Sequence, residues 1–221
     1  MKLRQSSHRQ RGTSNLQERG YTLVALMALM TVLALFALAA APSIRQQAQR
    51  ERETEAIFRG EEVAEAIRLY YSYQLRQRAA GGGDTALPTS IEQLLEGVSV
   101  GTKKIQVLRA SAARDPLTES GEWKFVRPRS SQLADFQQAL MLYTENVLPA
   151  TRDPQLASQQ QIMAPPVLQT LGIASSGLSS GSDDSSSGPF IGVVSGSKNN
   201  SVINYYGIDH HDGWVFTPLF R

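Results

Sequence analysis

Arg19-Gly20-Tyr21-Thr22-Leu23 opens onto YTLVALMALMTVLALFALAAA, Tyr21 to Ala41, and no charged residue occurs between Gly20 and Ile44. That stretch decides the fold. About 20 apolar residues suffice to cross the hydrocarbon of a bilayer. Leu, Ala and Met dominate it, and all three are strong helix formers. In lipid the backbone must satisfy its own hydrogen bonds, so the segment is predicted to be helical. Pro42 lacks an amide donor and crowds the preceding turn, which predicts a bend near Leu38 rather than an end. Ahead of the run, Lys2, Arg4, Arg9, Arg11 and Arg19 face one acid, Glu18. This asymmetry predicts a cytoplasmic N-terminus and a C-terminal part on the far side of the membrane.

Three readings of this N-terminus are open. Ala37-Leu38-Ala39 and Ala39-Ala40-Ala41 have the small-residue pattern of a secretory cleavage site. The apolar run exceeds the usual signal core of about 7–15 residues, however, and Pro42 obstructs a cut after Ala41. An uncleaved signal anchor is the second reading: a single-pass periplasmic binding or adaptor domain that does not polymerise. The third takes in more of the residues. Arg19-Gly20-Tyr21-Thr22-Leu23 resembles the processing motif of type IV prepilins and type II secretion pseudopilins. The resemblance implies that prepilin peptidase cuts between Gly20 and Tyr21 and methylates the new amine on Tyr21. Thr22 and Pro42 stand where family members often carry those residues. Ala25 departs from the pattern, because the fifth mature residue is normally Glu. In the family that carboxylate is thought to neutralise a neighbour's terminal amine, and in lipid it would be costly unless paired. Its replacement implies a minor or divergent subunit.

The whole chain has 221 residues, a net charge of +2 and no cysteine. Those values suit one anchor and one modest domain. They exclude a disulfide framework and a zinc–thiolate site, and they give no general field for nucleic acid. After the anchor, Arg45 to Arg59 mixes Arg, Glu and Gln. The stripe Ile57, Gly60, Val63, Ala64, Ile67, Tyr70, Tyr71 and Gln74 then recurs near helical spacing. It predicts a helix lying on a sheet, with Glu61, Glu62, Glu65 and Arg68 outward and the tyrosine hydroxyls at the core edge reaching solvent. Gly60 marks either a soft spot or close packing, and Gly81-Gly82-Gly83 ends the helix. Ser90 is the expected N-cap of a short helix carrying Ile91, Leu94 and Leu95. Lys104 to Leu108 and Trp123 to Val126 read as strands, with a turn at Asp115-Pro116. Leu133, Phe136, Leu140 and Tyr143 are spaced for a helix. Ser175 to Gly188 has almost no apolar content and is expected to be mobile.

Phe190 to Ser195, Val202 to Tyr206 and Trp214 to Thr217 are β-rich. Residues 196–200 and 209–213 between them read as hairpin connections. The expected fold is α+β: a long N-terminal helix, transmembrane then amphipathic, packed on a small antiparallel sheet of about four strands, helix first and strands after. Pseudopilins often carry a Leu-Pro-Thr-Ser segment, an Asp-Pro turn and a Trp-bearing strand, and Leu87 to Ser90, Asp115-Pro116 and Gly121-Glu122-Trp123 are similar. The chain thus divides into a leader (1–20), an assembly helix (21–44), its amphipathic continuation (45–80), an αβ loop with the first strand (81–127), an insertion (128–189) and C-terminal strands (190–221).

Catalysis finds little support in the sequence. No Gly-x-Ser-x-Gly elbow occurs, and Gly101-Thr102-Lys103 lacks the spacing of a phosphate loop. His210 and His211 are adjacent and point to opposite sides of an extended chain. Some pseudopilins bind calcium through acidic groups in a C-terminal loop, which makes Asp209 and Asp212 candidates by that resemblance; a polar turn is the plainer reading, and no other cofactor is expected. The resemblance further implies other pilin-like subunits, an inner-membrane assembly platform and a separate ATPase as partners, a bacterial inner-membrane location and a role in protein secretion.

Overall fold

The structure is a computed structural model that describes Asn15–Gln77 and residues 82–151, 153–164 and 188–220. Residues 1–14 of the leader, Gly81 and the serine-rich run 175–187 lie outside the described residues. Helix α1 covers Asn15–Gln77 without interruption, so Pro42 does not end it. Two compact units meet within it, Met1–Ala48 and Gln49–Arg221.

In the first unit, Tyr21–Leu38 is the one helix among the described residues long and apolar enough to cross a membrane. Its 18 residues rise about 27 Å at 1.5 Å per residue, close to the thickness of a hydrocarbon core. A signal sequence near an N-terminus meets the same criterion of length and composition.

The second unit is mixed helix and small antiparallel sheets. Residues of α1 from Gln49 onward are followed by α2 (Ile91–Glu96), the hairpin β1 (Val98–Val100) and β2 (Lys103–Ile105), β3 (Lys124–Val126), α3 (Ser131–Tyr143), α4 (Pro154–Met163), β4 (Gly192–Val194), β5 (Asn200–Tyr205) and β6 (Ile208–His210). The expected amphipathic face of α1 is the buried one: Ala56, Val63, Ala64, Ala66, Ile67 and Tyr71 belong to the core. Fully burying a side chain of the size of Ile67 contributes about 1.5–3 kcal/mol. Phe190, Ile191, Trp214 and Phe216 supply the same core from the C-terminal part. Gly60 is a point of close packing, not a soft spot. A Cβ built on it would lie 2.2 Å from Cδ2 of Phe216.

Several expectations need correction. The four-stranded sheet is instead three two-stranded ones, β1–β2, β3–β4 and β5–β6. Trp214 to Thr217 is not a strand; Phe216 alone bridges to Val193 of β4. The final hairpin turns at Tyr206-Gly207, not at 209–213, because both residues adopt positive φ (51° and 83°), the twist that two-residue hairpin turns require. Residues 208–210 thereby become a strand, and His211–Gly213 a 3₁₀ turn. Residues 196–200 link β4 to β5, which do not pair. The strand expected at Lys104 to Leu108 is shifted, because Gly101 turns the chain within the β1–β2 hairpin.

Side chains differ as well. Tyr71 does not reach solvent; it is fully buried, and its hydroxyl accepts a hydrogen bond from the Gly83 amide. Tyr143 is exposed, its ring edge-on to Tyr206. Ser90 makes no side-chain cap bond to α2. Thr89 and Gln93 close that terminus reciprocally instead, through Thr89 N–H to Gln93 Oε1 (3.0 Å) and Gln93 Nε2 to Thr89 Oγ1 (2.8 Å).

Candidate functional site

Gly20 and Tyr21 both lie inside α1, in its first two turns. Gly is a poor helix residue, by roughly 0.8–1.0 kcal/mol relative to Ala, so the junction opens more readily than the Leu/Ala run behind it. Thr22 and Ala25 are exposed, as are Tyr21 (77%), Leu23 (57%) and Phe36 (70%). Among the described residues none of the Tyr21–Leu38 window is buried. Thr22 and Ala25 thus stand on an exposed apolar stretch of α1.

The C-terminal acids Asp209 and Asp212 flank a histidine. His210 sits between them, Nδ1 at 3.2 Å from Asp209 Oδ1 and Nε2 at 3.7 Å from Asp212 Oδ1. The hydrogen bond from His210 holds the Asp209 carboxyl below its ordinary value. Among the described residues no group of three or more His, Asp or Glu is arranged to hold a metal ion.

His211 points the other way, as adjacent residues of an extended chain do, and it leads to a site that the sequence reading missed. Its Nε2 lies 3.0 Å from Glu53 Oε1, and its Nδ1 lies 3.1 Å from Ser197 Oγ. All three side chains are buried. The Glu53 carboxylate also accepts from the amides of Val202 (3.0 Å) and Ile203 (2.7 Å) and from Gln49 Nε2 (2.7 Å). Ser197, His211 and Glu53 form a buried row, and the carboxylate at its end accepts from backbone and side-chain donors of the fold. The carboxylate caps the open amides of β5 and clasps that strand and the His211 turn to α1. A signal was available: Glu53 falls seven residues before Gly60, in register with the apolar stripe, where an isolated carboxylate would be costly.

Burial opposes ionisation of Glu53, but the hydrogen bonds from Val202, His211, Ile203 and Gln49 outweigh it and hold the carboxyl below its ordinary value of 4.5. A depressed folded value stabilises the fold above the unfolded value, and that contribution drains away as pH falls through the folded one. The melting-temperature gap between wild type and Glu53→Gln is therefore expected to be constant near neutrality. It should narrow as pH drops below 4.5. Thermal melts across about pH 3–7 check this; a gap that widens in acid contradicts it.

A second clasp fixes α4. Asp153 caps that helix through Gln155 N–H (2.9 Å) and also accepts from Ser72 Oγ (2.6 Å) and Arg68 Nη1 (3.3 Å) on α1. The residues of α1 expected to face water or a neighbour do meet neighbours: Glu62 pairs with Arg109, and Arg68 pairs with both Glu65 and Asp153.

Comparison with protein-family models, with curated proteins and with solved structures finds no match to this chain.

Proposed function

We propose that this protein is a pilin-like structural subunit, a pseudopilin of a type II secretion or type IV pilus-like filament. It is held in the bacterial inner membrane with a cytoplasmic leader, cut by prepilin peptidase after Gly20 and methylated on Tyr21. One observation supports the reading: the apolar window Tyr21–Leu38 is not buried among the described residues, yet it is continuous with the helix whose later turns build the core of the second unit. A surface of this kind escapes water either in lipid or among equivalent helices. Transfer from bilayer to filament exchanges one apolar environment for the other. Ala25 brings no carboxylate to that bundle, so the subunit is a minor or divergent one. An inner-membrane platform and its ATPase supply the work of extraction.

The test is the mature N-terminus. Mass spectrometry of the membrane-extracted protein is expected to find N-methylated Tyr21, and Gly20→Ala is expected to leave the leader attached in essentially all molecules. An intact leader on the wild-type protein points to a non-polymerising signal anchor. A terminus after Ala41 points to a secretory signal. Either result overturns the proposal.

A further inference from the structure

An open cleft of 1310 Å³ lies in the second unit between α2, the 110–125 segment, α3 and the 208–213 turn. The four consecutive residues Glu122, Trp123, Lys124 and Phe125 all line it. Successive side chains of a strand point to opposite faces. Lys124 and Phe125 are consecutive in β3 and both border the cleft, which therefore runs along the strand's edge, and the hydrogen-bond register shows which edge. Val193, opposite Phe125, donates its amide to the Phe216 carbonyl (3.0 Å) and accepts the Phe216 amide (2.8 Å). Its polar backbone groups therefore face away from β3. In an antiparallel pair a residue and its opposite are either both hydrogen-bonded to each other or both turned outward. The amide and carbonyl of Phe125 accordingly face outward, away from β4. Among the described residues no strand pairs with that side of β3.

The charge of the cleft is uneven. Glu92, Glu122, Asp135 and Asp212 line it, against Arg114 and Lys124. Lys124 lies along Gly196 and Arg114 along Gly121, where hypothetical Cβ atoms would come within 3.8 Å of each side chain. Glu92, Glu122 and Asp135 are exposed.

We propose that this cleft binds an extended, basic peptide segment of another protein, which adds as a strand to the outer edge of β3 and sets its cations among these carboxylates. Main-chain pairing supplies affinity and the carboxylates supply preference, the usual division of labour in strand addition. The site belongs to the second unit alone and does not depend on processing at Gly20 or on filament formation.

The probe is a fluorescent heptapeptide of alternating Lys and Val, titrated by polarisation into the full chain in detergent micelles. Saturable binding is expected, with amide exchange at Phe125 slowed at least tenfold in the complex. Three changes should each weaken binding at least tenfold: N-methylation of alternate peptide amides at unchanged charge, replacement of Lys by Glu in the peptide, and the exposed pair Glu92→Lys with Asp135→Lys in the protein. Equal affinity for the N-methylated peptide overturns strand addition, equal affinity for the acidic peptide overturns the role of the carboxylates, and no saturable binding overturns both. Gly20→Ala is expected to bind the probe like wild type, so failure of the filament reading leaves this result standing.

Discussion

Glu53→Ala should destabilise the second unit by about 3–5 kcal/mol, the cost of stranding one partner of a buried, hydrogen-bonded charge. The substitution removes the common acceptor of the Val202 and Ile203 amides, His211 Nε2 and Gln49 Nε2. Each buried donor left without a partner costs about 1–3 kcal/mol. Gln49 reaches the Asn200 carbonyl at 2.9 Å and keeps that bond, and the imidazole keeps Ser197 Oγ at 3.1 Å on its other nitrogen; the Val202 and Ile203 amides lose the acceptor they share. Single domains are stable by about 5–15 kcal/mol, so a loss of this size consumes a large part of the total. Chemical denaturation of the full chain in micelles, followed by Trp fluorescence, measures it. Trp214 is a suitable reporter, since its ring lies edge-on to His211 at 5.2 Å. Glu53→Gln should cost less, because the amide oxygen still accepts from one or two of the same donors. A loss for Ala below about 1 kcal/mol would show that the carboxylate is not what holds the strand.

Gly60→Val should be nearly as harmful for an unrelated reason. A Cβ alone would fall 2.2–2.5 Å from three atoms of the Phe216 ring, and valine adds two methyl groups beyond it. The ring has little room to yield. It is 1% exposed, sits edge-on to Trp123 at 5.9 Å and packs against Tyr205 at 5.4 Å. Its own backbone is fixed by the bridge to Val193. Overpacking in such a site costs about 1–3 kcal/mol and sometimes more. The gain in helix propensity from removing a glycine, about 1 kcal/mol at most, does not offset it. Gly60→Ala should show the smaller version of the same loss. An alanine variant with a higher denaturation midpoint than wild type would mean that helix α1 and Phe216 are not in this contact.

How far the sequence could be read depended on the range of the signal. The apolar window and the stripe from Gly60 to Tyr71 are periodic, and periodicity is local, so α1 and its buried face were legible. Helix α3 was legible for the same reason, through Leu133, Phe136 and Leu140. Strand pairing is not local. Val193 has two neighbours, Phe125 and Phe216, from segments 68 and 23 residues away, and nothing in a β-rich run states which of its neighbours it will meet. The last hairpin was misplaced because Tyr206, an aromatic residue, takes a conformation usually left to Asn or Gly. The Asp209 to Gly213 run carries plain turn chemistry in the sequence. Glu53 was hidden among the charges of the 45–59 segment; only its phase with the stripe distinguished it from its neighbours. The cleft could not be foreseen, because its walls come from four separate parts of the chain.

The clasp between Glu53 and residues 197–211 sets an order of events at birth. The turn that holds His211 is made 158 residues after Glu53. At an elongation rate of about 5–20 residues per second, the stripe on α1 waits roughly 8–30 seconds for the partners that cover it. Earlier segments supply part of the cover, since Leu87, Leu94 and Leu108 share that core, but the part that falls to Phe190, Trp214 and Phe216 stays open until the last residues are made. Closure of this domain therefore finishes only with its carboxyl end.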